Sequence, residues 1–193
     1  NRASIVDRNL DTPYPFGWYV AMLSSELQVG EVKPLRYFST DLAIWRGEDG
    51  KVRMVDAYCK HLGAHMGHGG KVAGNLLECP FHAWRYDGEE GVVKEIPYSP
   101  SIPPQVKRKC TRTWHVHEAN QFIWFWYHPD AEVAPMFEVV DIPECSDPDW
   151  TPYDECRWHV WGSLQNMAEN GVDFAHFKYI HGTATMPNSE LTW

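Results

Sequence analysis

The feature that most constrains this chain is a pair of short Cys/His motifs separated by seventeen residues. The first is Cys59-Lys-His61 and the second is Cys79-Pro-Phe-His82, so each offers one thiolate and one imidazole. Two short loops can present these four side chains to one centre. Few metals prefer sulfur and nitrogen ligands together, chiefly zinc, copper and the irons of a [2Fe–2S] cluster. The motifs therefore predict a metal centre.

Zinc is the simplest alternative, because two Cys and two His are also a zinc ligand set. Zinc sites usually pair Cys with Cys and His with His, whereas both motifs here are mixed and unequally spaced. In a Rieske cluster two Cys hold one iron and two His hold the other. Gly63, Gly67, Gly69 and Gly70 follow the first motif and allow backbone to crowd a cluster. The sequence favours the iron–sulfur cluster over zinc.

A second group of polar residues lies near the end of the chain, around NGVDFAHFKYIH. Asp173 and His176 are three residues apart, so they share one face of a helix predicted over Leu164–His176, and Asn170 extends that face. His181 follows five residues after His176. Two imidazoles and one carboxylate form the facial triad of non-haem Fe(II) oxygenases. Alone, this pattern is also typical of core or surface residues, but together with the first pair of motifs it predicts an iron site.

Together the motifs resemble the oxygenase (alpha) component of the Rieske non-haem iron oxygenases. The runs YCKHLGAHM and VDFAHFKYIH are most similar to the 3-ketosteroid 9α-hydroxylase and sterol-oxidising group. Leu62 stands where ring-hydroxylating dioxygenases more often have Arg. The resemblance implies an α+β fold class, in which an N-terminal all-β Rieske domain precedes the start of a helix-grip-like catalytic domain that is incomplete at its C-terminus.

The resemblance also implies a role for each site residue. The four motif residues Cys59, His61, Cys79 and His82 would bind the [2Fe–2S] cluster, and the two downstream histidines the mononuclear iron. The two iron-binding histidines are His176 and His181. Asp173 would be the electron bridge, and Asn170 would support the iron ligands. In the family, the Asp connects a cluster His of one subunit with an iron His of its neighbour. A homotrimer is therefore implied.

The third iron ligand is missing from this pattern. In the family, the carboxylate comes much later in the chain than the second iron His. Glu190 follows His181 by nine residues, which is too soon to match. We therefore expect the third ligand to lie outside this sequence and the catalytic domain to be incomplete.

The function implied is that of a terminal oxygenase. Its cofactors would be the Rieske [2Fe–2S] cluster and a mononuclear Fe(II), with O2 as co-substrate. NAD(P)H would supply electrons indirectly, through a flavin and iron–sulfur reductase or a ferredoxin. The expected reaction is monooxygenation, the hydroxylation of a small, hydrophobic, polycyclic, steroid-like substrate. An aromatic-ring oxygenase or O-demethylase is the alternative within this class.

Two alternatives come from other classes. A Rieske-type electron carrier without catalysis would have no use for the downstream Asp/His motif, so that motif argues against it. A zinc-binding interaction module would be colourless, whereas a Rieske centre is red-brown and gives an EPR signal when reduced.

Charge and cysteine content narrow the partners and the compartment. The net charge is 17 − 26 = −9, which argues against binding to nucleic acid or to an anionic membrane. No apolar run is long enough to cross a bilayer, and no charged-then-apolar leader opens the chain. Cys110, Cys145 and Cys156 are left over from the motifs and are expected to be buried thiols rather than a disulfide framework. A cytoplasmic protein is predicted.

Short strand-like segments separated by turn residues predict a small antiparallel β domain. The predicted strands cover residues 17–23, 33–38, 42–46, 51–58, 91–94, 113–117 and 121–127. Prolines and acidic residues accumulate from Pro129 to Pro152 and indicate a boundary, after which a strand is predicted over Cys156–Trp161. The predicted organisation is an N-terminal arm at 1–15, a Rieske domain at 16–135 and the beginning of the catalytic domain at 136–193.

Overall fold

The computed structural model describes residues 14–151, 158 and 160–181. The chain divides into two compact units, Asn1–Pro152 and Tyr153–Trp193. The described part of the first unit is built mainly from short β-strands, and that of the second is helical. The strands are β1 (Gly17–Leu23), β2 (Val32–Tyr37), β3 (Thr40–Arg46), β4 (Val52–Asp56), β5 (Lys71–Ala73), β6 (Leu76–Glu78), β7 (Arg85–Tyr86), β8 (Val93–Glu95), β9 (Val116–Ala119) and β10 (Phe122–Tyr127).

The strands form three antiparallel sheets, in the orders β1-β10-β9, β2-β3-β4 and β5-β6-β7-β8. In the first sheet Gly17 pairs with Tyr127, so the early and late strands of the unit lie side by side. The predicted fold class is confirmed. Strands β1 and β10 match the predicted segments closely, whereas β5, β6 and β7 were not predicted.

Strand β3 is buried on both of its faces, which links two hydrophobic cores. Leu42 and Ile44 belong to one core, and the alternating residues Ala43 and Trp45 belong to the other. Because successive side chains of a strand point to opposite faces, an uninterrupted apolar run can serve both cores at once. The second of these cores also contains both motif cysteines. The centre predicted from the sequence therefore stands on one of the two cores.

A hairpin of two three-residue strands joins the two Cys/His motifs. Strand β5 pairs antiparallel with β6, from Lys71 opposite Glu78 to Ala73 opposite Leu76. Gly74 turns the chain with a backbone φ of 63°, in the left-handed region that glycine adopts without steric cost. Cys79 follows β6 directly. The seventeen residues between the motifs thus form a hairpin that returns the chain, so that Cys79 lies in the same core as Cys59.

The irregular segment after β10 is fastened to the first sheet by side-chain hydrogen bonds. The Trp126 indole donates to the carbonyl of Val133 at 3.2 Å, and the Trp18 indole to that of Phe137 at 2.7 Å. The Asn120 side chain donates to the carbonyl of Val140 at 2.8 Å. These contacts hold the segment against the β unit, and the spatial division falls only after residue 152. The predicted domain bounds, with a division at 135, stay a prediction.

In the second unit, helix α2 (Leu164–Val172) is separated from the short helix α3 (Phe174–His176) by a break at Asp173. A π-helical turn follows over Phe177–His181. The prediction of one continuous helix over Leu164–His176 is wrong, because Asp173 leaves the helical conformation with φ −82° and ψ 84° and caps α3. Of the predicted strand Cys156–Trp161, the three described residues are not in a strand and the others lie outside the described residues.

The first unit also contains α1 (Pro104–Lys107), one turn of helix that contacts β8. Within the described residues, none of the helices combines the length and the apolar character needed to cross a membrane.

We predict that Trp45→Ala lowers the free energy of unfolding by about 3–5 kcal/mol, because it removes a large, fully buried side chain. It also removes the indole N–H that donates to the carbonyl of Asn75, in the turn of the β5-β6 hairpin, at 3.0 Å. The measurement is chemical denaturation followed by circular dichroism. Trp150→Ala is the control, because the Trp150 side chain is 61% exposed and its loss leaves no cavity. Equal losses in the two variants would contradict the prediction.

Candidate metal centre

The two Cys/His motifs form loops with the same backbone hydrogen-bonding pattern. In the first cysteine loop (Cys59–Ala64), the Cys59 N–H donates to the Ala64 carbonyl at 2.9 Å, and the Cys59 carbonyl accepts from the Gly63 N–H at 2.9 Å. In the second cysteine loop (Cys79–Trp84), the corresponding bonds join Cys79 with Trp84 at 2.9 Å and with Ala83 at 3.0 Å. Both backbone groups of each cysteine are therefore satisfied within its own loop, which leaves the thiol free to act as a ligand.

The fifth residue of each cysteine loop has a left-handed backbone. Gly63 has a φ of 73° and Ala83 a φ of 54°. The glycine adopts this conformation readily, but the alanine does so at a cost of roughly 1–2 kcal/mol. Both hydrogen bonds of the second loop span this turn.

The four predicted ligand side chains lie in two pairs. The thiols of Cys59 and Cys79 are buried, with 3% and 2% exposure, and belong to the same core. The rings of His61 and His82 lie side by side, with centroids 4.7 Å apart. His61 is exposed and His82 is half-buried, so the imidazoles lie on the outer side and the thiols on the inner side.

Burial also affects the chemistry of the thiols. Burial and the neighbouring Cys59 thiol raise the pKa of Cys79, although the amides of Phe81 and His82 act in the opposite direction. Metal binding would have to displace the thiol proton, so affinity for the centre would increase with pH. The same two amides point at the Cys79 sulfur and would stabilise a bound thiolate.

Tyr86, the last residue of β7, contacts the first cysteine loop. Its hydroxyl lies 3.1 Å from the Cys59 sulfur and accepts a hydrogen bond from the Lys60 N–H at 2.9 Å. Because the Lys60 N–H uses an acceptor position, the hydroxyl proton is free to point at the sulfur. Burial raises the pKa of Tyr86 far above its ordinary value, so the hydroxyl keeps its proton. Spacing within the sequence gave no indication of this contact.

An aromatic contact links the two loops. The Trp84 ring of the second loop stacks on the His61 ring of the first, with centroids 4.6 Å apart and an interplanar angle of 5°. The Trp84 indole in turn donates to the Tyr98 hydroxyl at 2.7 Å. The orientation of one predicted ligand is therefore set by a residue that follows the other. The sequence predicted packing of Trp84 at the centre but not this stacking.

The arrangement fits a two-iron cluster. Among the described residues, no three His, Cys, Asp or Glu side chains are placed to hold a single metal ion. A Rieske cluster needs no such group of three, because each of its irons takes only two protein side chains. The buried thiol pair and the adjoining imidazole pair supply that donor set. The backbone also crowds the site, since a Cβ on Gly70 would stand 2.0 Å from the Met66 carbonyl oxygen.

The remaining histidines and cysteines of the β unit are not among the four predicted ligands. His65 and His68 face each other with ring centroids 4.4 Å apart, and the His65 Nδ1 accepts a hydrogen bond from the Gly67 N–H at 3.2 Å. Within the described residues Cys110 and Cys145 form no disulfide bond, as predicted, but both are half-buried rather than buried. Cys156 lies outside the described residues.

The downstream motif is arranged around Asp173. One carboxylate oxygen of Asp173 accepts the Ala175 N–H at 3.1 Å and so caps α3. The other oxygen lies 3.5 Å from the His176 Nδ1. Asn170 is exposed in the last turn of α2. The backbone of His181 ends the π-helical turn, whereas its side chain and all of Glu190 lie outside the described residues.

Comparison with known proteins identifies both parts of the chain. Residues 17–110 match the family profile of the Rieske [2Fe-2S] domain. Residues 125–190 match that of the 3-ketosteroid 9alpha-hydroxylase C-terminal domain. The chain belongs to the Rieske oxygenase family. The family predicted from the motifs is thus confirmed, and a [2Fe–2S] cluster rather than zinc is the cofactor of the β domain.

Individual relatives align with most of this chain, but the aligned region is less than half of each relative's own length. The cholesterol 7-desaturase nvd 1 of Ciona intestinalis is 36% identical over 187 residues, which are 97% of this chain and 39% of that protein. The oxygenase component of 3-ketosteroid-9-alpha-monooxygenase from Rhodococcus rhodochrous is 31% identical over 90% of this chain and 47% of its own length. The chain therefore spans less than half the length of these relatives.

Solved structures of Rieske oxygenases have the same fold. Apo dicamba monooxygenase superimposes with a TM-score of 0.58 and 28% identity, over 68% of this chain and 39% of its own. The oxygenase of carbazole 1,9a-dioxygenase, in its reduced complex with ferredoxin, gives a TM-score of 0.50 and 30% identity over 56% of this chain and 28% of its own.

We predict that Tyr86→Phe lowers the reduction potential of the [2Fe–2S] cluster by about 40 mV. A hydrogen bond to sulfur favours the more negative, reduced cluster, and a differential effect of about 1 kcal/mol corresponds to this shift for one electron. The measurement is a redox titration followed by EPR. Tyr37→Phe is the control, because that hydroxyl donates to the Val20 carbonyl at 3.0 Å and its ring packs in the other core. A Tyr86→Phe potential equal to that of the wild type would contradict the prediction.

Proposed function

We propose that this protein is the terminal oxygenase component of a Rieske system, which uses O2 and reductase-derived electrons to hydroxylate a hydrophobic, polycyclic, steroid-like substrate. The observation that carries the proposal is the joint presence of two structures in one chain. One is the pair of matching cysteine loops in the β unit, and the other is the Asp173–His176 pair at the helix break in the second unit. An electron carrier needs only the first.

Within the β unit, the proposal assigns the thiolates of Cys59 and Cys79 to one iron of the cluster and the imidazoles of His61 and His82 to the other. The burial of the thiols and the outward position of the imidazoles support this assignment. It places the histidine side of the cluster where electrons enter and leave. Tyr86 stabilises the sulfur side from within the core.

In the second unit, the proposal assigns His176 and His181 to the mononuclear iron, with a third, carboxylate ligand from outside the sequence. The nearness of the Asp173 carboxylate to Nδ1 of His176 supports this, because it orients the ring so that Nε2 faces the metal. Asn170, one turn before, supports the ligands without binding metal. The bound iron supplies the activation of O2.

Asp173 is proposed as the electron bridge between subunits. Its side chain is 57% exposed even though one of its oxygens caps α3 and the other lies near His176. An exposed carboxylate held in place at both oxygens can accept a hydrogen bond from the outward imidazole of a neighbouring copy. This arrangement requires at least two copies, and we propose a homotrimer.

The substrate class is proposed from the relatives. The matched C-terminal profile is that of 3-ketosteroid 9α-hydroxylases, and the relatives include enzymes named for 3-ketosteroid and cholesterol substrates. A fused-ring, apolar substrate is therefore favoured. Oxidation of an aromatic substrate is the second candidate, because dicamba monooxygenase and carbazole 1,9a-dioxygenase share the fold.

The electron supply is proposed to be a ferredoxin or a flavin and iron–sulfur reductase that draws on NAD(P)H. The carbazole enzyme is recorded in complex with its ferredoxin, which supports a protein donor. Cys110 forms no disulfide bond within the described residues, which supports a reducing compartment, and we propose the cytoplasm.

We predict that His176→Ala abolishes substrate hydroxylation but leaves the red-brown colour and the EPR signal of the reduced cluster intact. Cys59→Ser should abolish both, because it removes a cluster ligand on which electron supply depends. The measurement is turnover of a ketosteroid panel by the intact protein with reductase, together with visible and EPR spectra. His128→Ala is the control, because this half-buried imidazole lies outside both motifs. Loss of the cluster signal in His176→Ala, or hydroxylation by that variant, would contradict the assignment.

We predict that Asp173→Asn lowers turnover roughly 10–100-fold while cluster reduction remains normal. Asn is also a good helix N-cap, so the substitution keeps the bond to the Ala175 N–H and removes only the charge and one acceptor oxygen. Single-turnover kinetics that follow cluster reoxidation would show the electron leaving slowly. Glu169→Gln is the control, because it also removes one negative charge, on α2, and keeps a side-chain oxygen that can accept the hydrogen bond from Gln165. Reoxidation at the wild-type rate would contradict the bridging role.

A further inference from the structure

A short basic segment stands out in a chain whose net charge is −9. Lys107, Arg108 and Lys109 are consecutive and exposed, and Lys107 is the last residue of α1. Lys60, inside the first cysteine loop, is also exposed. We call Lys60, Lys107, Arg108 and Lys109 the basic patch.

Packing places the basic segment next to the first cysteine loop. Val106, just before the segment, belongs to the same core as Cys59, and Cys110, just after it, packs against that core. Burial raises the pKa of the Cys110 thiol, and the positive charge of Lys60 opposes that rise, so the Lys60 ammonium is within Coulomb reach of Cys110. The shared core and this electrostatic interaction place Lys60 near the basic segment.

Three of the four cations in the patch have no carboxylate partner within the described residues, and two of these three, Lys107 and Arg108, are adjacent in sequence. Most cations here are neutralised by carboxylates, namely in the pairs Lys33–Glu31, Arg36–Asp41, Arg46–Glu118, Arg53–Asp49, Arg85–Glu78 and Lys94–Glu90. In the patch, Lys109 pairs with Glu132 at 3.0 Å. Within the described part of the chain, Lys60, Lys107 and Arg108 form no ion pair. Their charge is available to a partner.

Apolar side chains lie beside these charges. Leu62, two residues after Lys60, is 64% exposed, and Phe81, next to His82, is 62% exposed. Protein interfaces commonly place apolar groups at the centre and charged groups at the rim, where charge accelerates and orients the encounter. The combination is that of a docking surface for a protein of opposite charge.

We propose that the basic patch is the docking site for an acidic, one-electron donor protein, the donor that the proposed function requires. Lys60 stands between Cys59 and His61, so a partner held at this patch would have its own redox centre within a short distance of the imidazole edge. In the transfer, one electron leaves the reduced centre of the donor and enters the oxidised cluster, with no bond formed or broken. A second copy of this acidic chain is the competing occupant.

The test is a charge reversal at Arg108 with a matched reversal elsewhere. Arg108→Glu and Lys51→Glu each change the net charge by two, but Lys51 lies before β4 (Val52–Asp56) and Cys59 lies after it, about 16 Å apart along the strand. The probe is an acidic plant-type [2Fe–2S] ferredoxin, oxidised for binding titrations and reduced for stopped-flow measurements on the intact protein. Photoreduced deazaflavin serves as an uncharged small reductant.

We predict that Arg108→Glu weakens ferredoxin binding and slows its reduction of the cluster by about tenfold at low salt, and that the difference fades near 1 M salt. Lys51→Glu should match the wild type, and deazaflavin should reduce all three clusters equally. Equal effects of the two reversals, or an effect of Arg108→Glu that persists at high salt, would overturn the proposal.

Two further results separate this proposal from its competitors. Dissociation of the oligomer by Arg108→Glu in analytical ultracentrifugation, with ferredoxin binding unchanged, would assign the patch to a second copy and overturn the proposal. A cluster that is reduced normally in a protein that hydroxylates none of the substrates tested would count against the proposed oxygenase function alone, because binding and cluster reduction do not depend on turnover.

Discussion

The two cysteine loops depend on hydrogen bonds that use the cysteine backbone and leave the cysteine side chain unused. Each cysteine donates its N–H and offers its carbonyl within five residues of its own loop, so these bonds fix the loop backbone around an unused thiol. A loop held in this way pays little conformational entropy when a cluster binds. The rest of the β unit places two such loops face to face, through the β5-β6 hairpin that returns the chain and the core that both thiols share.

Burial and exposure are divided across the centre in a way that suits electron transfer. The sulfur side faces a closed core with Tyr86, where the low dielectric makes a hydrogen bond to sulfur effective. The imidazole side faces outward beside Leu62, Phe81 and the basic patch. Under the proposed ligand assignment, the buried side would influence stability and reduction potential and the exposed side would contact partners.

Much of this organisation could be predicted from the sequence, because the chemistry of the ligands leaves few alternatives. The spacing of the motifs indicated the cluster, and apolar runs indicated β1 and β10. Strands of two or three residues such as β7 carry no periodicity, so they could not be recognised. The strand predicted at 113–117 begins instead at Val116, because Trp114 turns inward and its N–H donates to the Met54 carbonyl. From sequence alone, Asp173 could either lie on the face of one continuous helix or cap a second helix.

The stacking of Trp84 on His61 has a consequence for the speed of electron exchange. A nearly parallel indole, itself anchored on the Tyr98 hydroxyl, prevents the imidazole from rotating when the charge beneath it changes. Little nuclear rearrangement then accompanies oxidation or reduction, and a small reorganisation energy lowers the barrier in both directions. By restricting the His61 imidazole, the Trp84 indole therefore favours repeated electron transfer with little change in the surrounding structure.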